Sequence, residues 1–370
     1  MIRFLFPLDG DVLTPPDGEM CGELLKIRAR LSAPVGSAVT VNDEPCECVA
    51  DGEYEITLTP DSYRNALTAR AEKDGEVLES VIYVYRFKKA YKKYRLAIDD
   101  IIWSMRDLAV NKDVYKSLFD CPFFALFKRL NDDYGTCVHM NIYYTDVYDT
   151  FGDGFDLTMV PDKYRDEFIA NSHWLKLTFH AYDDTEHIYR EAPYSTVFND
   201  FCKVTKELIR IAGEPTVRTS ANGLHYGETN VYGARALRAC GVNCLVGYFK
   251  LDKNGVPIVS YYLDPEHTTH CFDRDFWVDN KEGIIFSKDK MVIDQFALDK
   301  INDRLDYLKV ERPTEMGTLN FVTHEQYFYP HYKAYQPEYE QKIRTAVKWA
   351  TDNGYEPCFI DTVIREEYRD

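Results

Sequence analysis

Arg95-Leu96-Ala97-Ile98-Asp99-Asp100 is a short apolar run that ends in two adjacent carboxylates, and the chain changes character there. From this point on, runs of strand length alternate with longer helical patterns. A helix is expected around 110–132, then the strand Cys137–Tyr144, a helix near 161–170, the strand Leu175–Phe179 and a helix near 196–212. The alternation continues with Thr216-Val217-Arg218, a helix near 229–240, Cys244–Tyr248, a helix near 296–309, Thr318–Thr323, a helix near 337–353 and Glu356–Ile360. About seven such repeats imply parallel strands in a closed or nearly closed (β/α) barrel, whose chemistry sits at the C-terminal strand ends.

Upstream, the pattern is different. Leu24–Leu31, Ala38–Val41, Glu53–Thr59 and Ser80–Tyr85 are short β-type runs separated by turn signals such as Pro34-Val35-Gly36, Asp51-Gly52 and Asp74-Gly75. Segment 66–72 continues the alternation and is expected as a further strand. Residues 1–92 are therefore expected to form a small all-β, Ig-like sandwich, with the barrel over 93–370. The basic stretch Arg86–Arg95 between them is expected to be a solvated connector.

The chain has 370 residues and a net charge of −17. That balance argues against nucleic acid or an anionic membrane surface as partner. No run of about 18 uncharged apolar residues offers a membrane span, and Met1–Asp9 is too short for a signal peptide. The ten cysteines are scattered, several inside apolar runs, as expected of free thiols in a reducing cytoplasm. Aromatic residues make up 14% of the chain, with 28 Tyr. Such a surplus suits a cleft that handles carbohydrate.

Three strand ends carry the candidate chemistry. Asp99 and Asp100 follow the first strand; His180 follows Leu175–Phe179, with Asp183, Asp184 and His187 beyond; His324 follows Thr318–Thr323. Carboxylate and imidazole groups aimed at one face are sufficient to hold a divalent metal with an open position beside an acid/base pair.

On these residues the stretch 93–370 resembles the polysaccharide deacetylase (NodB-homology) family. Leu96-Ala97-Ile98-Asp99-Asp100 is similar to its apolar strand ending in paired Asp, which implies Asp99 as general base and Asp100 as metal ligand. Phe179-His180-Ala181-Tyr182-Asp183-Asp184 resembles its His-x3-His metal motif, matched at His180 but with Asp184 in place of the second His; His187 is the other candidate. Thr216-Val217-Arg218 resembles the strand whose Arg steers the catalytic Asp. Ala236–Val242 is similar to the helix that ends in Gly before the next strand. Cys271–Trp277 resembles the pocket-lining segment, which implies Asp275 and Trp277 at the substrate, and Leu319–His324 resembles the last motif, which implies His324 as general acid. Ile101 stands where the family has Gly after the Asp pair, and Thr219-Ser220 where it has Pro-containing sequence.

The resemblance implies hydrolysis of an N- or O-acetyl group on a sugar, assisted by a divalent metal, zinc being the ion expected. Tyr182 and Tyr327 are placed to stack on a sugar ring. Two other functions fit the same barrel. One is a carbohydrate-binding protein without turnover; the other is a glycoside hydrolase working through two carboxylates, Asp99 and Asp275, with no metal.

Overall fold

The computed structural model describes residues 1–217 and 220–368. Before residue 92 the chain builds two largely antiparallel sheets. One runs Arg3–Phe6, Leu24–Ser32, Glu53–Leu58, Glu47–Ala50, with Glu19–Cys21 added beside Leu24–Ser32. The other runs Val12–Leu13, Glu76–Arg86, Arg64–Lys73, Ala38–Val41, Glu44–Pro45. Along Leu24–Ser32 the residues Leu25, Ile27, Ala29 and Leu31 are buried and those between them exposed, the period of two that a half-buried strand imposes. Leu25, Ile27 and Leu31 meet Val41, Leu67 and Val84 of the second sheet in one core, which makes the pair a sandwich.

The barrel alternates strand and helix. Its strands and helices are β1 (Lys93–Ile101), α1 (Trp103–Val110), α2 (Pro122–Tyr134), β2 (Val138–Tyr143), α3 (Arg165–Ala170), β3 (Leu175–Ala181) and α4 (Tyr194–Ala212). There follow β4 (Ala221–Asn222), α5 (Val231–Ala239), β5 (Cys244–Gly247), α6 (Pro265–Phe272), β6 (Ile284–Val292), α7 (Ile301–Glu311), β7 (Thr318–His324), α8 (Tyr339–Asp352) and α9 (Ile360–Glu367). The seven strands are parallel in the order β3-β2-β1-β7-β6-β5-β4. A parallel bridge between Leu177 and Val217 brings β3 next to the segment leading into β4, so the sheet nearly closes. β2 is buried at every position, as expected of a strand covered on both sides.

Local chemistry accounts for the departures from the expected elements. The helix expected over 110–132 begins only at Pro122, which lacks an amide proton and fits only the first turn of α2. α2 ends at Gly135, whose φ of 67° supplies the left-handed cap. Glu356–Ile360 pairs with β1 over two residues and then turns into α9. Thr216 and Val217 are not the fourth strand; that strand is β4, a few residues later.

Val12, Tyr85 and Phe87 pack against Phe276, Val278, Ile285 and Val363, so the sandwich and the barrel share an apolar seam. Among the described residues none of the ten cysteines forms a disulfide. Among the described residues no helix is long and apolar enough to cross a membrane.

Candidate metal centre and active-site cleft

β1 pairs regularly with β2 up to Ile98 and resumes at Ile101 with one extra residue, a bulge at Asp99-Asp100. Asp100 has φ of 63°, a left-handed conformation that costs a residue with a Cβ about 1 kcal/mol. In a regular strand adjacent side chains face opposite ways. The bulge instead lets both carboxylates line one cavity of about 500 Å³, shared with His180, His225, His324 and Tyr327.

Asp100, His180 and His225 form the cluster. Each offers one ligand atom, and these atoms lie within 4.8 Å of one another. His180 Nε2 is 3.2 Å and His225 Nδ1 3.5 Å from Asp100 Oδ1. The Tyr143 hydroxyl bridges Asp100 Oδ1 and His225 Nδ1, the latter at 2.7 Å. Gln326 Nε2 donates to Asp100 Oδ2 at 2.9 Å, which fixes the other carboxylate oxygen.

The donor set fits a divalent cation. His180 Nδ1 lies 2.6 Å from the carbonyl oxygen of Gly223, which can only accept, so Nδ1 carries the proton in the neutral ring. Its Nε2 lone pair then faces Asp100 Oδ1. Two acceptors at 3.2 Å need a proton or a cation between them, and a metal-ligating His held by a backbone carbonyl has this geometry. The two carboxylates make this point attractive to positive charge. Burial opposes ionisation of Asp100, yet hydrogen bonds from His180 and His225 and the charge of His324 hold its carboxyl well below the usual range. Burial pulls His180 down, but Asp99 and Asp100 outweigh it and raise its pKa. Burial lowers His225, which leaves its ring neutral and free to ligate.

Two groups flank the cluster. Asp99 Oδ1 accepts from the Asn141 amide on β2, and Asp99 stands opposite His324 in the β1–β7 ladder. His324 Nδ1 is 3.0 Å from Asp294 Oδ1. Burial opposes the imidazolium, but the Asp294 charge and hydrogen bond, helped by Asp100 and Asp99, push His324 up to about 10. Asp289 on β6 also lines the cavity; burial raises it to about 7, against the pull of Arg95.

Several expected residues lie elsewhere. Asp184 accepts from the Val147 amide at 3.1 Å and His187 Nδ1 is 2.9 Å from Glu228, so neither joins the cluster; the second His is His225, from the segment after β4. Trp277 donates its indole N–H to the Asp9 carbonyl at 2.9 Å, at the seam with the sandwich. Asp275 is buried against Lys290 at 2.9 Å and caps the Gly317 and Thr318 amides, at the opposite end of β7 from His324. It cannot partner Asp99 across a cleft. Tyr182 stacks on Tyr144 and accepts from Lys203 Nζ at 3.0 Å, away from the cavity wall. Arg218 lies outside the described residues. His225 is not legible from the sequence because the fourth strand is expected at Thr216-Val217-Arg218; with β4 at Ala221–Asn222, His225 follows the strand by three residues, while His180 and His324 are the last or next-to-last residues of theirs.

No family model and no curated protein matches the chain. Among solved structures, it is similar to the endo-β-1,4-mannanase from Thermotoga petrophila at 16% identity, covering 23% of this chain and 19% of that one with a TM-score of 0.18. The 4-α-glucanotransferase from Thermococcus litoralis is 10% identical over 75% of this chain and 40% of that one, with a TM-score of 0.46. A Bacteroides ovatus GH5 xyloglucanase solved with a XXXG heptasaccharide is 10% identical over 95% and 100% of the two chains, with a TM-score of 0.22. The chain spans 19%, 20% and 40% of the first three structures it matches. With every one of these TM-scores below 0.5, fold and site stand on this chain's own geometry.

Proposed function

We propose that the chain is a metal-dependent hydrolase that removes an acetyl group from a sugar. The observation that carries this reading is the convergence of Asp100, His180 and His225 on one point beside Asp99 and His324. Asp100, His180 and His225 would hold a divalent cation, zinc by the two imidazoles and one carboxylate, which would supply Lewis acidity toward an acetyl carbonyl and acidify a water.

The chain's own residues do the rest. Asp99, held by the Asn141 amide, takes the proton of the attacking water. His324, kept charged by Asp294, donates a proton to the departing amine or alkoxide. Gln326 and Tyr143 hold Asp100 so that its remaining lone pairs face the two imidazoles. The test is acetate release from N- and O-acetylated oligosaccharides, with metal measured by elemental analysis. Release should stop on chelation, return with zinc, and fall by about 100-fold or more in Asp99→Asn. Unchanged release after complete metal removal would overturn the reading.

One observation favours a second reading, a metal-independent glycoside hydrolase. Asp99 and Asp289 line the same cavity, and burial keeps Asp289 protonated up to about 7, as a general acid requires. On that reading new reducing ends appear in the presence of chelator and disappear in Asp289→Asn.

A further inference from the structure

Beside the cluster, a second cavity of about 530 Å³ opens onto the same Asp100 and His225. Its wall carries the rings of Trp103, Tyr148, Tyr226 and Tyr332 and the carboxylates of Asp184 and Glu186, none of which has a part in the chemistry above. Trp103 and Tyr332 pack edge to face with centroids 5.9 Å apart, and Trp103 Nε1 is tied to Asp146 at 3.3 Å, so the indole is held in place. Tyr226 is set by its own backbone, with φ of 58°.

The charges on this wall are unbalanced. Asp184 accepts from the Val147 amide, and among the described residues no basic side chain pairs with Asp184 or Glu186. Burial raises Asp184 to about 6, and the neighbouring Asp146 and Asp183 add to the effect. Three basic groups on the wall face them: His225, which burial lowers, His331 and Lys333. Burial and the Arg106 charge lower His331, which leaves it neutral, and Lys333 is a single exposed cation.

Electron-rich ring faces around carboxylates that have no ion-pair partner among the described residues are the chemistry that selects an alkylammonium ion. We propose that this cavity binds an ammonium group carried on a sugar ring, so that the molecule accepted at Asp100 presents a free amine beside the reacting position. The inference rests on a carbohydrate occupying the neighbouring cluster, and names the substituent that distinguishes it. Trp103 and Tyr332 would face the ring's C–H surface, while Asp184 and Glu186 take the charge.

The experiment is calorimetric titration of the full chain with the β-1,4-linked disaccharide of glucosamine, and with cellobiose, which has hydroxyls in place of the amines. The amine should bind about tenfold more tightly. Its advantage should shrink with added salt and vanish in the double variant Asp184→Asn, Glu186→Gln, with cellobiose binding unchanged. Equal affinity for the two sugars overturns the proposal. So does a preference that survives in the double variant, because the amine is then held at Asp100 instead. Thermal melting of the variant checks its folding. The arms separate from the hydrolase test: amine preference without acetate release leaves this inference standing alone, and acetate release without preference removes it alone.

Discussion

At the residue scale, the site is built from groups whose partners come from other strands. His225 is the sharpest case, because its role depends on a contact with Asp100 across the barrel mouth. His225→Ala should lose bound metal and acetate release together, whereas Asp184→Ala should keep its metal; elemental analysis of the two purified variants decides between the ligand sets. His324 is the titrating counterpart. Its native value is raised to about 10 from an ordinary 6.5, so its contribution to stability is complete below pH 6.5 and is lost as pH climbs through about 10. Asp294→Asn removes the largest opposing force to burial, and the His324 titration followed by NMR in chelated protein should fall toward 6.5. A midpoint left near 10 would show that Asp294 is not the cause.

At the scale of elements, α1 shows how the site is tied to its scaffold. Its N-cap residue is Ile102, which offers no side-chain acceptor. Glu325, one residue past β7, supplies the cap instead: its carboxylate accepts the Ile102 and Trp103 amides at 2.7 Å and the Ser104 amide at 2.8 Å. Three orphan donors of one helix are therefore satisfied by the residue next to the proposed general acid. Glu325→Ala leaves them unpaired in a buried place and should cost about 2–3 kcal/mol in denaturant unfolding. It should also weaken catalysis, since α1 begins three residues after Asp100. A loss below about 0.5 kcal/mol would mean that water replaces the cap.

At the scale of the whole molecule, the sandwich is bound to the barrel by an ionic cluster as well as by the apolar seam. Arg274 of the barrel reaches Asp11 at 3.2 Å and Asp17 at 2.8 Å, and donates to the Val12 carbonyl at 2.9 Å. Asp11 is fully buried, and His270 and the Leu8 amide are its other partners. Arg274→Ala takes the guanidinium from two buried carboxylates and should destabilise the chain by about 3–5 kcal/mol; differential scanning calorimetry should show the single transition lowered or split in two. What the sequence by itself determined follows from local forces. Periods of two and of about four mark sandwich strands and barrel helices, and an apolar run ending in Asp, His or His marks a strand end, so Asp99, Asp100, His180 and His324 were legible. What only the tertiary structure decided are contacts between residues far apart in the chain. Register and the near closure of the sheet bring His225 to Asp100, send Trp277 to the seam and Asp275 to the far end of β7, and assign Glu325 to α1. The reason is physical: a side chain's direction at a strand end is set by bulges and by neighbouring strands, and neither is written in the residues beside it.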